Sequence, residues 1–108
     1  MAGKPDRETM SLLSEHLKYI KKEFKPEKII LFGSRARGDN LKTSDIDLIV
    51  VSKKFEGVDW RKRMINVFGD WDKKQMLEPI CYTPEEFEKK KKQIGIVRQA
   101  VKEGIELN

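Results

Sequence analysis

The segment that most constrains this chain is Asp45 to Ser52, DIDLIVVS, whose apolar and β-branched residues give the strongest strand signal in the sequence. In a strand, alternate side chains share a face, so Asp45 and Asp47 project together while Ile46 and Leu48 face the other way. Two carboxylates roughly 6–7 Å apart repel by about 2–3 kcal/mol at an effective dielectric near 20. Placing both at the head of an otherwise apolar strand is poor design for stability alone. A divalent cation between them reverses the sign of that interaction. Carboxylates together with phosphate oxygens are the usual ligands of Mg²⁺, which favours oxygen donors and keeps several waters. A lone Asp-x-Asp also has a plain alternative, two solvated acids at a strand start beside a turn.

The elements around this strand define a fold class. Residues 9 to 24 carry Leu12, Leu13, Leu17, Ile20 and Phe24 at helical spacing, with Pro26 as the stop. Lys28 to Phe32 (KIILF) reads as a buried strand ended by Gly33. Residues 33 to 44 are polar and turn-rich, with room for a short helical turn at most. A helix is expected over about Asp59 to Asp70, and a third strand over Met76 to Tyr82, where Pro79 implies an edge position or a bulge. Thr83-Pro84-Glu85-Glu86 has the form of a helix start, and a helical pattern continues through Phe87, Ile94, Val97, Val101 and Ile105, with Gly95 and Gly104 as breaks. The order is that of an α/β (α+β) chain, a small mixed β-sheet with helices packed against it.

Composition narrows the setting. The 108 residues suit a single domain spanning 1–108, with 23 Lys plus Arg against 18 Asp plus Glu and a net charge of +5. A single cysteine, Cys81, removes any disulfide framework or cysteine-based zinc cluster. No apolar run is long enough to span a bilayer, and Met1 to Lys25 lack the apolar core of a secretory signal, so a cytoplasmic location without membrane contact is expected. The basic balance is compatible with an anionic partner, but charges of both signs are interspersed and direct nucleic-acid binding stays open. The one dense basic run, Lys89 to Lys92, follows acidic residues on one helix and reads as a solvated face.

The loop upstream of the paired aspartates changes their meaning. Gly33 lets the backbone approach a ligand closely, Ser34 adds a hydroxyl, and Arg35 and Arg37 are candidate phosphate partners through their planar forks. Loop and strand together read as a phosphate cradle facing a metal site, which phosphoryl or nucleotidyl transfer requires. Gly-Ser followed after ten residues by Asp-x-Asp arises by chance in roughly one in a thousand chains of this length at average residue usage. In the third strand Glu78 is the sole acid, 31 residues after Asp47, and is the favoured third carboxylate over Asp70 and Asp72. Its alternative role is an edge-strand charge that deters aggregation.

The stretch LFGSRARGD followed by SDIDL resembles the G-S-x10-D-x-D signature of the DNA polymerase β superfamily, in the form carried by its minimal nucleotidyltransferases. The resemblance implies a palm-like nucleotidyltransferase fold and an ATP-type substrate whose triphosphate binds at Gly33 and Ser34. It also implies a two-metal Mg²⁺ site on Asp45 and Asp47, with a third acid, assigned to Glu78. Such proteins commonly resemble the antitoxin half of a two-gene system whose partner is a HEPN-type toxin, with AMP added to a tyrosine of the toxin. A protein partner and a homo- or hetero-oligomer are therefore expected. Two alternatives stand beside this reading, a non-catalytic partner-binding module and a nucleotidyltransferase acting on RNA or a small molecule.

Other residues carry less. His16 is expected at the surface or core boundary, Cys81 as a small buried hydrophobe, and Trp60 and Trp71 as core residues bracketing the middle helix. Val97 and Val101, with Ile94 and Ile105, exceed what one small core covers, a further reason to expect a protein partner.

Overall fold

The computed structural model describes residues 5–108; residues 1–4, the start of the segment expected to lack a secretory signal, lie outside the described residues. Helix α1 (Arg7–Phe24) starts at Asp6, whose carboxylate accepts the Thr9 N–H at 2.7 Å, and ends at Lys25 in a left-handed conformation. The cap places the helix start two residues ahead of position 9, where the apolar pattern put it. Strand β1 (Lys28–Phe32) runs into the one-turn helix α2 (Ser34–Arg37), and β2 spans Ile46–Val51. After a 3₁₀ turn at Lys53–Phe55 come α3 (Trp60–Phe68), β3 (Leu77–Tyr82), α4 (Pro84–Lys91), α5 (Ile96–Glu103) and β4 (Ile105–Glu106). Among the described residues no helix is long and apolar enough to cross a membrane.

The strands form one mixed sheet in the order β3-β2-β1-β4. β2 pairs antiparallel with β1 and parallel with β3, so α3 supplies the crossover that a parallel pair needs. β3 is an edge strand, which tolerates Pro79 as the sequence implied. Alternation assigns the two faces. One carries Ile29, Leu31, Ile46, Leu48, Val50, Leu77 and Cys81 against Leu13, Leu17 and Ile20 of α1 and Val67 of α3. The other packs Ile30, Ile49 and Val51 against Phe87 of α4 and Val97 and Ala100 of α5. β2 is buried on both faces over most of its length, which explains its near-continuous apolar sequence.

In the C-terminal region the helical pattern is interrupted near Gly95 and Gly104, as those glycines allowed, but Ile105 does not belong to a helix. The helical pattern breaks after Lys91, resumes at Ile96 and ends at Gly104, where a side chain would run into the Ala100 carbonyl and Ile30. The chain then pairs Ile105 with Leu31 and donates the Leu107 N–H to the Ile29 carbonyl at 2.8 Å, so Ile105 lies in a strand. The α4 start has the expected capping box: the Thr83 hydroxyl accepts from Glu86 N–H at 3.2 Å and Glu86 Oε1 from Thr83 N–H at 2.9 Å. The basic run that follows is a solvated face with exposed pairs to Glu85 and Glu88. Trp60 is 59% exposed and so is not a core residue, whereas Trp71 packs against the core and donates its indole N–H to Gln75. His16 is buried, its Nε2 bonded to the Val67 carbonyl at 2.7 Å and its ring against Tyr19 and Trp71. Cys81 is buried as expected, and burial pushes its thiol up to about 12.

Candidate active site

The second face of the sheet changes character along its length. Toward one end Ile49 and Val51 lie under α4 and α5. At the other end the same alternation presents Asp47, directly opposite Phe32 of β1 on one side and Glu78 of β3 on the other. Strand register therefore makes Asp47 and Glu78 neighbours 31 residues apart in sequence. Asp45, two residues upstream, is exposed, as is Glu78, while Asp47 is half-buried. Asp70 and Asp72 lie outside this cluster, at the edge of a pocket with Glu15, His16 and Tyr19.

The loop after β1 closes on this row from above. Gly33 takes φ +76°, ψ −156°, a region open essentially to glycine alone. A Cβ on Gly33 would lie 2.5 Å from Asp47 Oδ2, so backbone and carboxylate are already in contact. The α2 turn follows at once, held by Ala36 and Arg37 N–H bonds to the Gly33 carbonyl, both at 3.1 Å. A group bound at Gly33 and Ser34 would thus stand beside Asp47. Arg37 is exposed, with Nε 3.2 Å from Asp39, and its positive charge reaches Asp47. It lines, with Phe32, Gly33, Ile96 and Gln99, a cleft of about 220 Å³ beside the turn. Phe32 was legible from the sequence only as a strand residue, although its register with Asp47 puts it at the site.

Arg35 does not join this cleft. Only 1% of it is exposed, and its guanidinium donates to the Thr9 hydroxyl and to main-chain carbonyls of the following loop. A phosphate outside cannot reach a fork buried and bonded in this way, which corrects the expectation of a phosphate partner at this position. A basic residue in a polar loop gives no local signal of whether it points in or out.

Electrostatically the acids are a strained group. Burial, a hydrogen bond to Glu78 and the negative charges of Glu78 and Asp45 push the Asp47 carboxyl up to about 7, against a smaller opposing pull from Arg37. Among the described residues no three His, Cys, Asp or Glu side chains already converge as a metal cage. The donor set is nevertheless all oxygen, and a cation that takes one or two carboxylates and fills its shell with phosphate and water oxygens suits such an open arrangement. Bringing a positive charge to this row offsets the repulsion that raises Asp47.

Comparison with known proteins agrees with this geometry. The family described as "Nucleotidyltransferase domain" matches residues 13–107. A Methanocaldococcus jannaschii protein provisionally named a protein adenylyltransferase is 36% identical over 70 residues, 58% of this chain and 81% of its own length. A second protein of that organism with the same provisional name is 44% identical over 43 residues, 40% of this chain and 43% of its own. A Sulfolobus solfataricus protein, provisionally described as a nucleotidyltransferase, has a crystal structure that superposes with a TM-score of 0.63 at 26% identity, covering 96% of this chain and 88% of that one. Fold, matched length and relatives agree: this chain belongs to the nucleotidyltransferase domain family and is a nucleotidyltransferase.

Proposed function

We propose that this protein is a Mg²⁺-dependent adenylyltransferase that moves AMP from ATP to a hydroxyl of a protein partner. The observation that carries the reading is the contact between the Gly33 turn and Asp47, in register with Glu78, which supports a turn that binds phosphate beside carboxylates that hold a metal. The provisional names of the M. jannaschii relatives support AMP as the group moved and a protein as its acceptor.

In this reading residues 1–108 act as one minimal domain. Gly33 and Ser34 hold the triphosphate, Arg37 approaches it from the exposed side, and Asp45, Asp47 and Glu78 hold Mg²⁺. The metal, when bound, neutralises phosphate charge and lowers the pKa of the attacking hydroxyl. The acceptor oxygen attacks the α-phosphorus in line, the bond from that phosphorus to the bridging oxygen of the β-phosphate breaks, and pyrophosphate leaves with the electron pair. The hydroxyl proton passes to a site carboxylate, Asp47 or Glu78, and then to water.

The partner is a HEPN-type toxin, the acceptor one of its tyrosines, and the chain acts as an antitoxin. The exposure of Ile94 (92%), Ile96 and Val101 around α5 fits a protein that meets another surface. The test mixes the protein with α-labelled ATP, Mg²⁺ and the co-encoded partner, beside an Asp45→Asn/Asp47→Asn control. Label on a partner band that needs both aspartates supports the reading. Stable partner binding with no label, or label on RNA, overturns it in favour of a non-catalytic antitoxin or an RNA-directed enzyme.

A further inference from the structure

The buried guanidinium of Arg35 connects the three segments that carry the candidate site. Arg35 follows Ser34 directly. Its Nε donates to the Ser44 carbonyl at 3.1 Å, one residue before Asp45, and its Nη2 to the Lys42 carbonyl at 3.0 Å. That Lys42 carbonyl also accepts the Gln75 side-chain N–H at 2.9 Å. Gln75 in turn precedes Met76, whose carbonyl takes the Ile46 N–H at 2.8 Å where β2 and β3 begin. The far side of the fork, Nη1, donates to the Thr9 hydroxyl at 2.9 Å. One side chain thus holds the Gly33-Ser34 turn, the approach to Asp45 and Asp47, and, through one shared carbonyl, the approach to Glu78.

We propose that Arg35 is a positioning residue for nucleotidyl transfer, fixing the phosphate-binding turn relative to the carboxylates; this rests on the site proposed above. The chemistry favours a guanidinium. Several carbonyls in different directions need donors spread over a rigid plane, whereas a lysine ammonium offers three donors from one point. The nearest carboxylate, Glu8, is 3.7 Å away and half exposed, so neutral carbonyl and hydroxyl acceptors hold most of this charge. Such a buried charge is costly unless each donor is matched, and here the matched partners are the loop that leads to Asp45. A displacement of that loop by about 1 Å is enough to reduce turnover about 10²-fold.

The test compares Arg35→Lys, which keeps the charge and loses the fork, with Thr9→Val, which removes the Arg35 bond to α1 together with the Thr9 hydroxyl's contact with Asp6 at the α1 cap. Both are assayed with α-labelled ATP, Mg²⁺ and the co-encoded partner well below their melting temperatures. Expected for Arg35→Lys is a fall in kcat of about 10²-fold with a much smaller change in KM for ATP. For Thr9→Val the expected result is a lower Tm with kcat within about twofold of the parent. Amide exchange at Ile46 provides a readout independent of activity, faster in Arg35→Lys than in Thr9→Val at matched stability. A folded Arg35→Lys protein with kcat near the parent's, or Thr9→Val losing as much kcat, overturns the proposal. If the parent itself transfers nothing, the proposed function fails separately. Unchanged Ile46 exchange in Arg35→Lys then overturns the tie as well.

Discussion

The two faces of β2 are built from alternate residues of the same six-residue strand, and they answer to different demands. Ile46, Leu48 and Val50 are fully buried between the sheet and helices α1 and α3. On the opposite face Ile49 and Val51 are just as buried, but the third residue of that face is Asp47. A strand period of two therefore separates a fully apolar face from one that ends in a carboxylate whose charged form is disfavoured. The first face holds the strand rigid, and the second uses that rigidity to hold an unfavourable group in place. Uncompensated acids at the head of a strand are a cost in folding that a cation and a phosphate can return when they bind.

The sharpest way to break this division is to change one face and find the effect on the other. Asp47→Asn removes a proposed metal-holding oxygen along with its charge. Transfer activity is expected to fall at least ~10³-fold, about 4 kcal/mol of barrier. The Tm without metal is expected to stay level or rise at neutral pH, because a repelling charge is gone. A large drop in Tm would show that Asp47 belongs to the structural face after all.

Leu48→Ala, one residue on, is the converse. It opens a cavity at a fully buried position and should cost about 3 kcal/mol, lowering Tm by ~10 °C or more. Turnover per folded molecule, measured well below the new Tm, should remain within a fewfold of the parent. A loss of turnover as large as that of Asp47→Asn in fully folded protein would abolish the distinction between the faces.

Much of this was legible in the sequence for physical reasons that are local. The capping box at Thr83, the strand Lys28–Phe32 and the edge position of β3 follow from residue types a few positions apart. The juxtaposition of Gly33 with Asp47 was legible because turn and strand are adjacent hairpin-like segments. What stayed hidden depends on long-range contacts. The direction of Arg35 is set by Thr9, 26 residues away, and by carbonyls of the loop it closes. The strand at Ile105–Glu106 is two residues long, too short for any periodicity, and exists because Leu31 offers a free edge. Trp60 shares a helical face with Arg63 and Val67 yet is exposed, because it stands at the first residue of α3, where face alone does not decide burial.

Gly33→Ala probes the joint between the turn proposed to bind phosphate and the acidic end of the strand. The glycine-only conformation should cost about 2 kcal/mol. The new Cβ would also push on Asp47 Oδ2, the mobile end of a side chain, so the carboxylate rather than the backbone should yield. Stability and turnover should therefore fall together, unlike in either strand variant. Tm and kcat measured on one preparation provide the check. A loss of stability with unchanged kcat would mean that the turn and Asp47 do not work as a unit.

The smallest expected effect concerns pH, and it distinguishes the faces without disturbing packing. The Asp47 carboxyl is pushed from 3.8 to about 7 in the folded protein, so the folded state holds its proton more tightly than the unfolded state does. Stability contributed by that proton is complete below about pH 4, falls as pH rises toward 7 and is gone above it. Because Asp47 is only half-buried, solvent screening reduces the effect to about 1 kcal/mol, ~4 °C in Tm. Melting in chelator should show Tm declining from pH 5 to pH 8, with Asp47→Asn flattening that decline and Leu48→Ala keeping it on a lower baseline. Added Mg²⁺ with ATP should also flatten it, because a cation favours the ionised acid and binds best where the apo protein is least stable. A decline that survives in Asp47→Asn would assign it to another group, and Asp47 would then have no part in the pH response.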